Sequence, residues 1–188
     1  TIVKSKSMVT EEIHLNDFLE KLGIESVETD LGEYIQQLAE EPPYHIVTPA
    51  MHKSREDIAR LFSQKLNTKP DLSADQLTLV ARDILREKYV QAEIGITGAN
   101  FLVADIGGVA ISENEGNARL SNAFPKTHIV ITGIEKVIPS MTDLALFWPL
   151  LATYGTGQQI TSYNTIVSGP RQQGEPDGPD EMYVILID

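Results

Sequence analysis

A loop in the middle of the chain carries two acids, two amides and a guanidinium within seven residues. It contains Glu113, Asn114, Glu115, Asn117 and Arg119 and directly follows an apolar, strand-like run. A glutamate here could act as a nucleophile or general base, while the arginine could hold a substrate carboxylate through two hydrogen bonds. The alternative is a polar hairpin whose asparagines and glycine supply left-handed turn positions. The loop alone leaves both interpretations open.

Two lysines alternate near the start of the chain, where residues 2–6 are expected to form a strand. Lys4 and Lys6 would then point to the same face. Two buried lysines are costly unless they are paired or face a ligand, which suggests an anion site for a carboxylate or phosphate. The alternative is an exposed edge strand, on which lysine discourages unwanted pairing.

Three further positions are candidates for ligand binding. Gly98 and Asn100 belong to the run GITGAN, whose backbone N–H groups could face an anion. Gly107 and Gly108 favour a tight turn between two strands instead. His52 could shuttle protons, although a single histidine near a helix start is also typical of surface or capping residues. The chain has no cysteine and its four histidines are scattered, so we expect no metal site.

Bulk composition favours an ordinary globular protein of one domain, residues 1–188, with 41% hydrophobic and 22% charged residues. The net charge of −12 argues against a nucleic-acid surface, which needs clustered lysine and arginine. No apolar run is long enough to span a bilayer, and no secretory signal opens the sequence. We therefore expect a cytoplasmic location, and the oligomeric state is left open.

Strand and helix patterns alternate along the chain. Asp30, Ser54 and Ser73 are expected to cap helices, the last two over residues 55–66 and 74–90. Further expected helices span residues 11–22, capped by Thr10, and residues 142–153. Expected strands cover residues 2–6, 26–29, 45–48, 101–105, 109–112, 129–132, 162–167 and 182–187.

This alternation predicts an α/β fold, Rossmann-like, with a mostly parallel sheet, helices on both faces and some antiparallel pairing late in the chain. In such sheets ligands bind at the carboxyl ends of the strands. Polar residues occupy every expected strand end, so the candidate residues should meet at one rim. Because the sequence both opens and closes within an expected strand, we also expect a trimmed piece of a longer protein.

Several blocks of the sequence resemble the lactate utilization protein B family, iron–sulfur proteins of bacterial L-lactate oxidation whose amino-terminal part is the LUD domain. The blocks are VKSKSMVTEEI at residues 3–13, HIVTPAMHKSREDIARLF at 45–62 and EIGITGANFLVADIGGVAISENEGNARL at 93–120. The resemblance extends over essentially the whole chain. It implies a fold similar to the ribose-5-phosphate isomerase, glucosamine-6-phosphate deaminase and CoA-transferase group.

The resemblance also implies cofactors and partners. In the family a ferredoxin-like segment with 4Fe–4S clusters follows the LUD domain, so no cofactor is expected in this chain itself. The complete proteins act with two partner lactate utilization subunits in oxidising L-lactate to pyruvate. Ser112-Glu113-Asn114 is also similar to the catalytic element of CoA transferases, but Glu115 replaces the glycine of that element.

Three hypotheses follow. In the first, the domain binds lactate, pyruvate or another small anion at the rim, and the chain is inactive in isolation. In the second, the rim is a non-catalytic surface that docks the ferredoxin segment or a partner subunit. In the third, the chain is an acyl-CoA-handling enzyme that uses Glu113 as nucleophile.

Overall fold

The computed structural model describes all 188 residues, Thr1–Asp188. The strands are β1 Ile2–Lys4, β2 Ser26–Glu28, β3 Ile94–Thr97, β4 Phe101–Val103, β5 Gly108–Glu113, β6 Thr127–Gly133, β7 Val137–Ile138, β8 Tyr163–Val167 and β9 Glu181–Ile187. Five of them form a parallel sheet in the order β2-β1-β3-β6-β9, and the other four form a second sheet in the order β7-β4-β5-β8. The helices are α1 Met8–Glu12, α2 Leu15–Lys21, α3 Leu31–Ala39, α4 Arg55–Leu66, α5 Ala74–Gln91, α6 Asn117–Ala123 and α7 Leu144–Thr156.

Helices cover both faces of the parallel sheet, as the sequence predicted. On one face Val3 and Val27 pack against α3, α4 and α5, where Phe62 is fully buried. On the other face Ile2, Ile96 and their neighbours pack against Leu19 of α2. Side chains alternate across a strand, so β1 sends Val3 to the first core and Ile2 to the second.

The capping residues of three long helices are those expected from the sequence. Asp30 accepts a hydrogen bond from the N–H of Glu33, while Ser54 and Ser73 each form a complete capping box. Such caps satisfy N–H groups that have no partner within the helix. They fix where α3, α4 and α5 begin.

The antiparallel strands form a sheet of their own, which the sequence analysis did not predict. The hairpin β4–β5 turns at Gly107, which has a φ of +60°, and β8 pairs with the other edge of β5. α7 packs on this sheet through Leu144 and Phe147, against Val103 and Ala110. α7 therefore does not cover the last strands of the parallel sheet.

Two expected elements were wrong. Residues 45–48 form a turn and not a strand, because the His45 Nδ1 accepts hydrogen bonds from the N–H groups of Val47 and Thr48. The expected helix over residues 11–22 is split into α1 and α2 at His14, which has a φ of 52°. Thr10 lies inside α1 and does not cap it.

None of the helices combines the length and the apolar character needed to cross a membrane.

Candidate functional site

A cleft of about 500 Å³ lies where the carboxyl ends of β1, β2, β3 and β6 meet. From β1 the chain crosses to β2 on one side, and from β3 it crosses to β6 on the other. The cleft therefore opens at the point where the strand order reverses, the usual place for a ligand in an open α/β sheet. Its polar lining residues are Ser5, Lys6, Ser7, Asp30, Asn100, Ser112, Glu113, Asn114, Glu115, Asn117, Thr132, Lys136, Thr156 and Thr161.

Lys6 supplies a positive charge to the floor of the cleft. Its Nζ lies 3.3 Å from Asp30 Oδ2 and 3.1 Å from the carbonyl oxygen of Val47, and the side chain is about three-quarters buried. These contacts use two of the three donors of the ammonium group. The third donor remains for an anion in the cleft.

The segment after β3 lies close to the segment after β1, at Ser7. A Cβ atom on Gly98 would lie only 2.9 Å from Ser7 Oγ, so glycine allows the two loops to meet. Asn100 is held in place because its Oδ1 accepts a 2.7 Å hydrogen bond from the N–H of Ser112. The Nδ2 of Asn100 donates to no protein group, which leaves it available to a ligand.

Glu113 is engaged at the start of α6. Its Oε2 accepts a hydrogen bond of 2.7 Å from the N–H of Ala118, and its Oε1 accepts one of 3.0 Å from the N–H of Arg119. Burial raises the pKa of Glu113, and the two backbone N–H groups act in the opposite direction. Because both oxygens have partners, the observed geometry is that of a helix cap.

Glu115 has the freer carboxylate of the two. Only its Oε2 has a partner, the N–H of Leu31 at the start of α3, at 3.4 Å. Partial burial in the cleft, and then the nearby negative charge of Asp30, raises the pKa of Glu115. A carboxylate with a raised pKa near a lysine is suited to accept a proton from a bound ligand.

Asn114 fixes the loop to the far wall of the cleft, a role that sequence reasoning missed. Its Oδ1 accepts hydrogen bonds from the N–H and Oγ of Ser162 and from the Nε2 of Gln158, at 2.9 to 3.1 Å. These partners lie between α7 and β8, more than 40 residues away. Nothing in the local sequence signals this long-range pairing.

Lys4 does not reach the cleft, contrary to the expectation that it would share a face with Lys6. β1 ends at Lys4, so the strand alternation does not extend to Lys6. The Lys4 Nζ lies 2.7 Å from Glu28 and 3.1 Å from Glu11, and the side chain is fully buried. The edge-strand alternative is wrong as well, because β1 pairs with both β2 and β3.

His52 and Arg119 also lie outside the cleft lining. His52 is exposed, with its Nε2 3.3 Å from Glu41 and its ring beside that of Tyr44. The guanidinium of Arg119 lies over the ring of Tyr163 at 5.1 Å, on the outer surface. Arg119 is the third residue of α6, and its side chain points away from the cleft. Its guanidinium therefore does not face the other candidate residues, and the expected contact with a substrate carboxylate is not formed there.

Of the residues chosen from sequence, the structure brings six to the cleft: Lys6, Gly98, Asn100, Glu113, Glu115 and Asn117. Sequence reasoning missed the cleft roles of Asp30 and Val47, which hold Lys6 in place. Asp30 had a recognisable signal as a helix cap after a strand. Val47 had none, because its contribution is a backbone carbonyl.

Comparison with known proteins identifies relatives. The LUD domain model matches residues 2–187. Lactate utilization protein B of Anoxybacillus flavithermus is 50% identical over 188 residues, that of Bacillus subtilis is 48% identical, and the uncharacterized electron transport protein YkgF of Escherichia coli is 46% identical over 187 residues. Each comparison covers the whole of this chain, which spans only about 40% of the length of these relatives.

Among solved structures, a DUF162 family protein from Deinococcus radiodurans matches with a TM-score of 0.39 and 15% sequence identity. The match covers 97% of this chain and 99% of that one.

Proposed function

The chain belongs to the LUD domain family, and we propose that it is the LUD domain of a lactate utilization protein whose cleft binds a small carboxylate anion. The family and the relatives support the lactate-utilization role. The supporting observation for anion binding is the position of Lys6, which offers a free donor at the switch point between β1 and β3.

The cleft has the groups needed to orient a 2-hydroxy or 2-oxo acid. The Lys6 ammonium would bind the carboxylate, and the free Nδ2 of Asn100 would donate to it from the neighbouring loop. The Glu115 carboxylate would accept a hydrogen bond from the hydroxyl of lactate. The cleft of about 500 Å³ has ample room for a ligand of this size.

The residues of this chain do not fit the 4Fe–4S clusters that the resemblance implies, because such clusters are held by cysteine thiolates and the chain has no cysteine. The role proposed for this chain is therefore binding and orientation of the anion. We further propose that electron transfer takes place in other parts of a complex with lactate utilization subunits.

Titration of the chain with L-lactate, pyruvate and inorganic phosphate tests the proposal. Backbone amide shifts in the NMR spectrum should move at Lys6, Asn100 and Glu115 with L-lactate or pyruvate. A response to phosphate alone would indicate a phosphate-bearing ligand and would contradict the carboxylate proposal. No response at these residues to any of the three would contradict anion binding altogether.

A docking function is the second candidate, favoured by apolar side chains at the mouth of the cleft. Ile46 and Val47 line the cleft, yet 59% and 41% of their surfaces are exposed. Glu115→Gln in the assembled lactate utilization complex separates the two functions. Loss of lactate oxidation in a complex that still assembles supports ligand binding, whereas loss of assembly supports docking.

A further inference from the structure

The outermost strand of the parallel sheet is apolar and uncovered. In β9 the consecutive residues Tyr183, Val184, Ile185 and Leu186 are each between 45% and 52% exposed. Successive side chains point to opposite faces, so both faces of this strand are open to solvent. Parallel strands are normally buried on both faces, which makes this exposure unusual.

The hydrogen-bonding edge of β9 is also open. β9 pairs with β6 over seven residues and with no other strand. Its sequence, EMYVILI, contains no lysine or proline, which usually discourage pairing at an edge, and its one charged residue is Glu181 at the start of the strand. A long, apolar strand with an unpaired edge is a template for another strand.

At the opposite edge of the same sheet, a side chain binds the backbone groups of β2 that a further strand would otherwise pair with. There the Nε2 of Gln37, on α3, donates to the carbonyl of Ser26 at 2.7 Å, and its Oε1 accepts from the N–H of Glu28 at 3.0 Å. The amide side chain thus replaces a neighbouring strand along β2, and all three residues of β2 are buried. No side chain performs this function for β9.

The length of the relatives indicates what covers β9. This chain spans about 40% of their length, so more than half of each relative lies outside the matched region. A second copy of the chain would bring another net charge of −12 to the same edge. We propose that a strand from the part of the longer polypeptide outside these 188 residues pairs with the free edge of β9 and covers its apolar side chains.

This inference does not depend on the anion-binding proposal, because no residue of β9 lines the cleft. Backbone amide hydrogen exchange tests it by comparing β9 in this chain and in the full-length gene product. We expect exchange within residues 181–187 to be slower in the full-length protein by on the order of tenfold or more. Exchange in residues 67–73, a connection between α4 and α5 far along the chain from β9, should be unchanged and is the internal control.

Two variants of the full-length protein sharpen the test. Ile185→Asp should return exchange in β9 to the rate of the shorter chain, because a charge at this position disfavours the covered state. Leu79→Asp, at an exposed apolar position on α5, should leave that rate unchanged. Equal exchange of β9 in the two proteins would overturn the proposal. So would protection of β9 in the 188-residue chain that rises with its concentration, which would identify a second copy as the occupant.

Discussion

The ammonium group of Lys4 lies 2.7 Å from a carboxylate oxygen of Glu28, and both side chains are almost completely sealed from solvent. The Lys4 Nζ also contacts the Thr10 hydroxyl and Glu11, and the Nδ2 of Asn16 donates to Glu28. Burial acts to lower the pKa of Lys4, but the carboxylates of Glu28 and Glu11 outweigh it and the pKa is raised. Lys4 therefore stays charged. This network joins β1 and β2 to α1 and α2 immediately before Lys6 enters the cleft.

Lys4→Met should strongly destabilise the chain, because it leaves buried carboxylates without a counter-charge. Breaking a buried pair in this way costs about 3–5 kcal/mol. Urea unfolding measures the change in the free energy of unfolding. Lys65→Met, which removes the exposed pair with Glu40, should cost less than about 1 kcal/mol. Similar losses in the free energy of unfolding for the two variants would show that the buried Lys4–Glu28 pair contributes no more to stability than an exposed ion pair.

Glu33 should make the folded state less stable as the pH rises. Burial, and then the carboxylates of Glu28 and Glu11, raises the pKa of Glu33 to about 7. Because this exceeds the value of 4.5 for a free glutamate, the folded chain binds the proton more tightly than the unfolded chain. The resulting stabilisation is complete below about pH 4.5 and is lost as the pH rises through 7.

Glu33→Gln should remove this pH dependence. Relative to the parent chain, the variant should gain stability between pH 4.5 and pH 8, by at most on the order of 3 kcal/mol. Thermal or urea unfolding at the two pH values measures the difference. Glu87→Gln, at an exposed position on α5, is the control and should show no such gain. An equal response of the two variants would mean that Glu33 is not desolvated in solution.

The local signals in the sequence predicted the helices well and the site only in part. Asp30, Ser54 and Ser73 act through N–H groups three residues away, so short-range patterns were sufficient. The separate sheet was not predictable in this way, because the paired residues of β5 and β8 are 50 to 58 positions apart in the sequence. The difference between Lys4 and Lys6 was likewise hidden, since it depends on where β1 ends and on partners in α1 and β2.

Gln37→Leu should open the closed edge of the parallel sheet. The substitution removes both hydrogen bonds to β2 and leaves buried backbone groups without partners, at a cost of about 1–3 kcal/mol. Gln64→Leu, at an exposed position in the last turn of α4, should have little effect in the same unfolding experiment. If both variants unfold at the same urea concentration as the parent, the edge bonds do not contribute to stability.

Glu113 should form no covalent adduct with an acyl-CoA. Both carboxylate oxygens accept backbone hydrogen bonds at the start of α6, and a nucleophilic attack would have to break one of them. Mass spectrometry of the chain after incubation with acetyl-CoA and trapping with hydroxylamine tests this expectation. A mass change on the peptide that contains Glu113 would instead support the CoA-transferase hypothesis.

The most direct measurement of the central claim is the affinity of the chain for L-lactate and pyruvate before and after Lys6→Gln. This substitution removes the positive charge at the switch point and should weaken binding by on the order of tenfold or more, as expected for a hydrogen bond between charged groups. Lys65→Gln removes a lysine from the outer surface of α4 and should leave the affinity unchanged. Equal affinities for the parent chain and Lys6→Gln would contradict the proposal that this cleft binds a carboxylate through Lys6.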